Sequence, residues 1–187
     1  MAFWSGTENN EPRRNFKFLL RVGIGQEQID TWVVKGVNLP TITVGESTHH
    51  FLNHRFYFPG TIEYNTISFT VVDAIDRKTS QRIISNFVNS GYNVPASEGQ
   101  ATTALLTKEA SVNVLGAVTI EQLGTGVDGE TNKIGFTLKN AWVKNIEFGQ
   151  SLSYDNEDLS EIKVELRYDF FNFLDNGVEI AGFGASA

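Results

Sequence analysis

A repeated alternation of apolar and polar residues with period two constrains this chain more than any other feature. In its clearest stretch Ile162, Val164, Leu166, Tyr168 and Phe170 alternate with Lys163, Glu165, Arg167 and Asp169. Phe16, Phe18, Leu20 and Val22 repeat the rule, with Lys17 and Arg21 opposite. Val112, Val114, Val118 and Ile120 follow it too, as do Ile134, Phe136 and Leu138. Successive side chains of a strand point to opposite faces, so each segment reads as a strand with one face on a core and one in water. One-sided strands suit antiparallel pairing, because parallel sheets are covered on both faces. The expected fold class is therefore mainly β, an antiparallel β-sandwich or partly closed barrel.

Residues 51–58 read as one strand, Pro59-Gly60 with Thr61 as its turn, and residues 62–72 as the returning strand. On that returning strand Ile67, Phe69 and Val71 share one side, with Ser68 and Thr70 on the other. Asn38-Leu39-Pro40 interrupts an extended segment, as a strand entry or edge does. Helical spacing is found once, over about residues 77–89, where Ile83, Ile84, Phe87 and Val88 form one stripe. Asp76 is its expected N-cap and Gly91 its stop, so one flanking α-helix is predicted. Residues 93–107, with Pro95 and Gly99, read as a long surface loop. After Phe173 the alternation ends, leaving Val178, Ile180 and Phe183 exposed unless a neighbour covers them. The 187 residues suit a single domain, 1–187, with 1–14 as an N-terminal arm and 174–187 as a C-terminal extension.

Composition removes several chemistries. The chain contains no cysteine, which excludes a disulfide framework, a zinc ribbon, an iron–sulfur site and a thiol nucleophile. With 22 acidic and 15 basic residues the formal charge is −7, so tight nucleic-acid binding is not expected, since that depends on neutralising phosphates. The start of the chain lacks the pattern of a signal peptide, and the least polar stretch, 110–120, is too short to span a bilayer. A protein that folds and works in a cytoplasm, without a membrane, is expected.

Motif by motif, an enzyme does not emerge. Gly124, Gly126 and Gly129 match the spacing of a dinucleotide fingerprint. That motif needs a helix opening after it, and a strand-like run follows instead, so it reads as a turn between strands. His49, His50 and His54 are the only histidines. On a single strand, residues four apart are separated by about 13 Å, too far to share one metal ion. Asp155, Glu157 and Asp158 lack the spacing of a calcium loop and read as a solvated hairpin tip. Asp73 follows a strand, where a catalytic carboxylate can sit, but no serine, base and orienting acid assemble around it or elsewhere. No catalytic, cofactor or metal residues are assigned. Long hairpins and unpartnered apolar ends point to burial against other subunits, with Phe3, Trp4, Val178, Ile180 and Phe183 as candidate contacts. A small-ligand barrel lined by Phe56, Phe58, Phe69 and Trp142 is the alternative from a different class.

Between Leu39 and Phe87 the order of features resembles the tail tube proteins of contractile-tailed bacteriophages, the T4-type tail tube family. The resemblance runs through Asn38-Leu39-Pro40, then Phe51-Leu52-Asn53-His54-Arg55, Pro59-Gly60, the strand ending at Asp73, and the helix from Arg82 to Phe87. An amphipathic closing strand, 161–168, adds to it. The resemblance implies a hexameric ring whose inner strands form one continuous β-barrel, with rings stacked into a hollow tube for genome ejection. It also implies a structural virion protein with no cofactor, located in the virion tail and assembled in the host bacterial cytoplasm. The partners implied are further copies of itself, the tail sheath protein, baseplate and tail terminator proteins, a tape-measure protein in the lumen, and DNA in transient, non-specific passage. In such a tube an acidic wall would let DNA slide, and Asn53, Arg55, Glu63, Glu165 and Asp169 are the candidate lumen residues. A single-ring baseplate or terminator protein, or a secretion-type tube of a contractile injection system, would share the fold.

Overall fold

The computed structural model describes residues 12–24, 27–28, 33–75, 79–92, 106–124, 132–149, 153–155 and 157–180. Among these, twelve strands and two helices follow in the order β1 (Phe18–Ile24), β2 (Glu27–Gln28), β3 (Val34–Val37), β4 (Ile42–Phe51), β5 (His54–Tyr64), β6 (Ile67–Val72), α1 (Thr79–Asn89), α2 (Lys108–Leu115), β7 (Val118–Gln122), β8 (Ile134–Lys139), β9 (Trp142–Phe148), β10 (Glu161–Arg167), β11 (Phe170–Asp175) and β12 (Val178–Glu179). They build a six-stranded sheet in the order β12-β11-β8-β7-β1-β2, a four-stranded sheet β3-β6-β10-β9, and the two-stranded hairpin β4-β5. Every pairing described is antiparallel. The mainly β, antiparallel expectation holds, and the sheets stay open rather than closing into a barrel within one chain.

The period-two pattern is what forms the core. Val164 faces Phe69 across β10 and β6, and Ile162 faces Val71. These residues and Leu166 and Ile67 are all buried. On the other sheet Leu20 pairs with Ile120 and Val22 with Val118, again buried. Together they make one cluster that also takes in Ile83 of α1 and Leu115 of α2. Burying such a side chain contributes about 1.5–3 kcal/mol each. An aromatic line links the layers, with ring centroids 5.6 Å apart for Tyr64 and Phe171 and 5.5 Å for Phe136 and Phe171.

Three local expectations change. The turn of the long hairpin is Leu52-Asn53, where Leu52 has φ 51°, and Pro59-Gly60 lies inside β5 instead. Register explains this: Phe51 pairs with His54, Ser47 with Phe58 and Glu46 with Pro59, and the ladder slips by one residue between Val44 and Glu46, where Gly60 and Thr61 oppose Gly45. Pro59 is tolerated because β5 has a strand on one side only, and glycine is needed beside it. A Cβ on Gly60 would lie 3.1 Å from the Gly45 carbonyl. Residues 51–58 are thus two strand ends and a turn, not one strand.

Helix α2 is the second change, because Val112 and Val114 belong to it and the strand begins only at Val118. Apolar residues at i and i+2 share a face only on a strand, since on a helix they lie about 200° apart. The helix forms nonetheless, opened by Thr107, which accepts a hydrogen bond from the Ala110 N–H at 3.2 Å as an N-cap. Gly116 ends the helix at φ 66°, ψ −151°, a conformation open essentially to glycine alone, and a Cβ there would lie 3.2 Å from the Gly23 carbonyl oxygen. Gly116→Ala is expected to cost about 1–3 kcal/mol, read as a lowered urea midpoint with an unchanged slope.

The third change concerns α1. Asp76 lies outside the described residues, and it is the Asp73 carboxylate that accepts the Ser80 N–H, at 3.2 Å. Gly91, at φ 105°, follows the helix end as expected. Residues 93–105 of the predicted loop, and 125–131 of the glycine turn, also lie outside the described residues. That turn joins the antiparallel pair β7 and β8, so the fingerprint has a strand where a helix is required. Residues 174–180 of the C-terminal segment complete β11 and turn at Asn176-Gly177 into β12 on the edge of the six-stranded sheet.

Candidate functional site

The β4–β5 hairpin grows out of the four-stranded sheet. β3 leads into β4 and β5 into β6, so the two form one long ribbon with a bend at residues 38–41 and 65–66. The bend is pinned by the Asn65 side-chain amide, which donates to Thr41 Oγ1 at 3.2 Å and Thr43 Oγ1 at 2.8 Å. Its root is held by Tyr64, whose ring packs on Tyr168 and Phe171. Tyr168 is buried there, and loss of solvation pushes its hydroxyl up to about 12.

Beyond the root, every residue from Ile42 to Glu63 is exposed. This includes Val44, Phe51, Leu52, Phe56, Tyr57, Phe58 and Ile62, a density of apolar side chains that monomer surfaces do not carry on a projecting element. Cross-strand partners share a face, so His49, Phe51, His54, Phe56, Phe58 and Glu63 lie on one side. Val44, His50, Arg55, Tyr57 and Ile62 lie on the other. The turn at Leu52-Asn53 therefore places the histidines on two strands, not one. His49 and His54 share a face and His50 opposes them. Among the described residues no group of three or more His, Cys, Asp or Glu could hold a metal ion.

The outward face of the four-stranded sheet is different in kind. It is laced with ion pairs: Lys144 to Glu165 at 3.0 Å, Lys163 to Glu147 at 3.8 Å, Arg167 to Glu63 at 3.5 Å, and Lys35 to Glu161. Solvent screens exposed pairs of this type, so they add little to stability. Their effect on the surface is clearer, because four cations and four carboxylates cancel. The acidity of the chain is not on this face.

The five candidate lumen residues do not share one surface. Glu63 and Glu165 do, joined through Arg167 and the sheet. Hydrogen bonds from Thr66 and Lys144 hold the Glu165 carboxyl below its ordinary value. Arg55 is on the opposite face of the hairpin and Asn53 is in its turn. Asp169 sits at the corner between β10 and β11, where Lys108 of α2 donates to both its oxygens, at 2.8 and 2.6 Å, and Asn140 donates at 2.8 Å. Those bonds lower its carboxyl from the ordinary 3.8. A depressed carboxylate adds stability that is complete above the unfolded value and lost as pH falls through the folded one. Asp169→Asn is therefore expected to flatten the fall in urea midpoint as the pH drops below about 4.

Of the candidate subunit contacts, Val178 and Ile180 are exposed, while Phe3, Trp4 and Phe183 lie outside the described residues. The aromatics of the alternative ligand barrel do not meet. Phe69 is in the core, Trp142 is half-buried on β9, and Phe56 and Phe58 project on the hairpin. What the sequence pattern concealed was the pairing of 42–51 with 54–64, whose only local signal was an asparagine in the turn.

No protein-family profile and no curated protein sequence matches the chain. Solved structures do. The sheath/tube terminator of the PVC extracellular contractile injection system in its extended state is 16% identical, with 90% of this chain and 99% of that one covered, at a TM-score of 0.60. The tube terminating cap of the anti-feeding prophage is 13% identical over 94% of this chain and 99% of its own, with a TM-score of 0.56. A chain of the PVC sheath–tube complex in its extended state is 15% identical over 89% and 93%, with a TM-score of 0.54. Among the described residues no helix is long and apolar enough to cross a membrane. The fold of this chain is thus similar to that of tube and terminator components of contractile injection systems.

Proposed function

We propose that this protein is a structural, non-enzymatic subunit that assembles with copies of itself into rings, stacked as the tube of a contractile tail. The observation that carries the reading is the hairpin, 42–63, exposed on both faces and rich in apolar side chains that only another chain can cover. Sheet edges support it. The four-stranded sheet ends in β9 on one side and in β3, continued by β4, on the other. Repeating the same pairing between these two edges closes a ring and removes the unpaired strands that invite aggregation.

In this arrangement the ion-paired face carrying Glu63 and Glu165 lines the channel. Its balanced charge offers passing DNA or protein cargo neither a cationic grip nor strong repulsion. The hexameric count, genome ejection, and the sheath, baseplate, terminator and tape-measure partners follow from the sequence resemblance, as do assembly in the host cytoplasm and residence in the virion tail. A single-ring terminator is the second reading, favoured by the likeness to two terminating components. Negative-stain electron microscopy over a concentration series, beside light scattering, tests both. Hollow tubes are the expected result, and isolated rings that never stack would select the terminator. Monomers at every concentration, with purified baseplates added, would overturn the reading.

A further inference from the structure

All three histidines of the chain lie at one place, the distal part of the hairpin between Ser47 and Phe58. In that stretch Arg55 is the single charged residue at neutral pH and there is no carboxylate. The tip is thus cationic and aromatic on a chain whose formal charge is −7. Among the described residues nothing else packs against it. At the other end of the same sheet lies the segment leading into β10. There Asp155 and Glu157 are exposed, and so are Tyr154 and Leu159. The two places are at opposite ends because Arg167 of β10 meets Glu63 at the hairpin root, while Glu161 pairs with Val72. A run of six residues separates the ends, about 20 Å along the strand.

We propose that the hairpin tip of one copy seats on the acidic, apolar stretches 153–155 and 157–159 of the next, a head-to-tail contact that sets the stacking direction. It rests on the self-assembly reading above and names the surface that would carry it. Opposite charges at opposite ends make the contact heterologous, and a heterologous contact that does not close gives an open stack. Leu52 and Tyr57 supply apolar area to meet Tyr154 and Leu159. On the hairpin Arg55 shares its face with His50, and across the contact it meets Asp155, Glu157 and Asp158 of the neighbouring copy.

The test uses the full chain, with assembly read by sedimentation velocity and negative-stain microscopy. At pH 7.5, Arg55→Glu alone and the pair Asp155→Lys with Glu157→Lys are each expected to raise the concentration needed for stacking by about tenfold or more. Joining all three substitutions in one chain restores it, which a merely structural effect would not do. If the natural chain assembles and the single-sided variants assemble as well as it does, or if the combined variant is not restored, the proposed contact is wrong while the self-assembly reading stands. A natural chain that stays monomeric at every concentration, even with baseplates, ends both.

Discussion

Replacing residues 45–61 with a two-residue Asn-Gly turn is expected to abolish ring and tube formation at every concentration at which the natural chain assembles. Its thermal midpoint should stay within about 3 °C of the natural one. The design is set by the pairing of Val44 with Ile62, which lets a tight turn close the shortened ribbon. Tyr64 and its contacts with Tyr168 and Phe171 are kept, so the core loses nothing. What is removed is a set of side chains that are exposed in the monomer and therefore add little to its folding. Sedimentation and a melt on the same sample decide the matter. A shortened chain that still forms tubes would show that the hairpin is not the assembly element. One that fails to fold would show that the hairpin supports the sandwich, against the exposure seen here.

Leu166→Ala should produce the largest loss of monomer stability, about 3–5 kcal/mol. The side chain is fully buried, opposite Ile67 on β6 and Val143 on β9, in the middle strand of three. Removing it opens a cavity between two sheets that are each tied down by their own hydrogen bonds, so little collapse can relieve it. For a chain of this size the thermal midpoint should fall by about 10 °C, measured at a concentration below assembly. Lys163→Ala, three residues away on the other face, is expected to change stability by no more than about 0.5 kcal/mol. Similar losses from both would mean that the face carrying Lys163 is packed in the isolated chain.

The legible parts of the structure are those where the cause is local. Alternation in 162–168 told which face of β10 is buried, and Ile162, Val164, Leu166 and Tyr168 are all in the core. The same was true of Leu20 and Val22 and of Val118 and Ile120. Helix α1 formed in the predicted place, but of its stripe only Ile83 is buried, with Ile84 and Val88 exposed. Helix α2 was illegible because two valines at i and i+2 mimic a strand, and its cap lay in a segment that looked like loop. The hairpin was misread for a reason of scale. Pro59-Gly60 is the strongest turn signal in the chain, but a turn is formed only if the strands it joins can pair. Here nine cross-strand pairs, from Ile42 with Tyr64 to Phe51 with His54, carry the ribbon past that point, with Pro59 in register opposite Glu46 and a bulge at Gly60-Thr61.

The candidate assembly surface divides in the same way. That the chain carries net negative charge and leaves apolar residues without local partners could be read from the order and kinds of its residues. Which polar residues share a surface could not. Glu63 and Glu165 are far apart in sequence and meet on one face through Arg167, whereas Arg55, eight residues from Glu63, is on the opposite side of the same ribbon. Net charge is a sum over the chain, but the field at a wall depends on where each group is placed, and pairing cancels it on the sheet. By itself, then, the sequence determined the mainly β class and the buried faces of the alternating core strands, since these follow from periodicity. Only the tertiary structure decided the turn, the register, the neutral sheet face and the cationic tip, because each depends on residues brought together across strands.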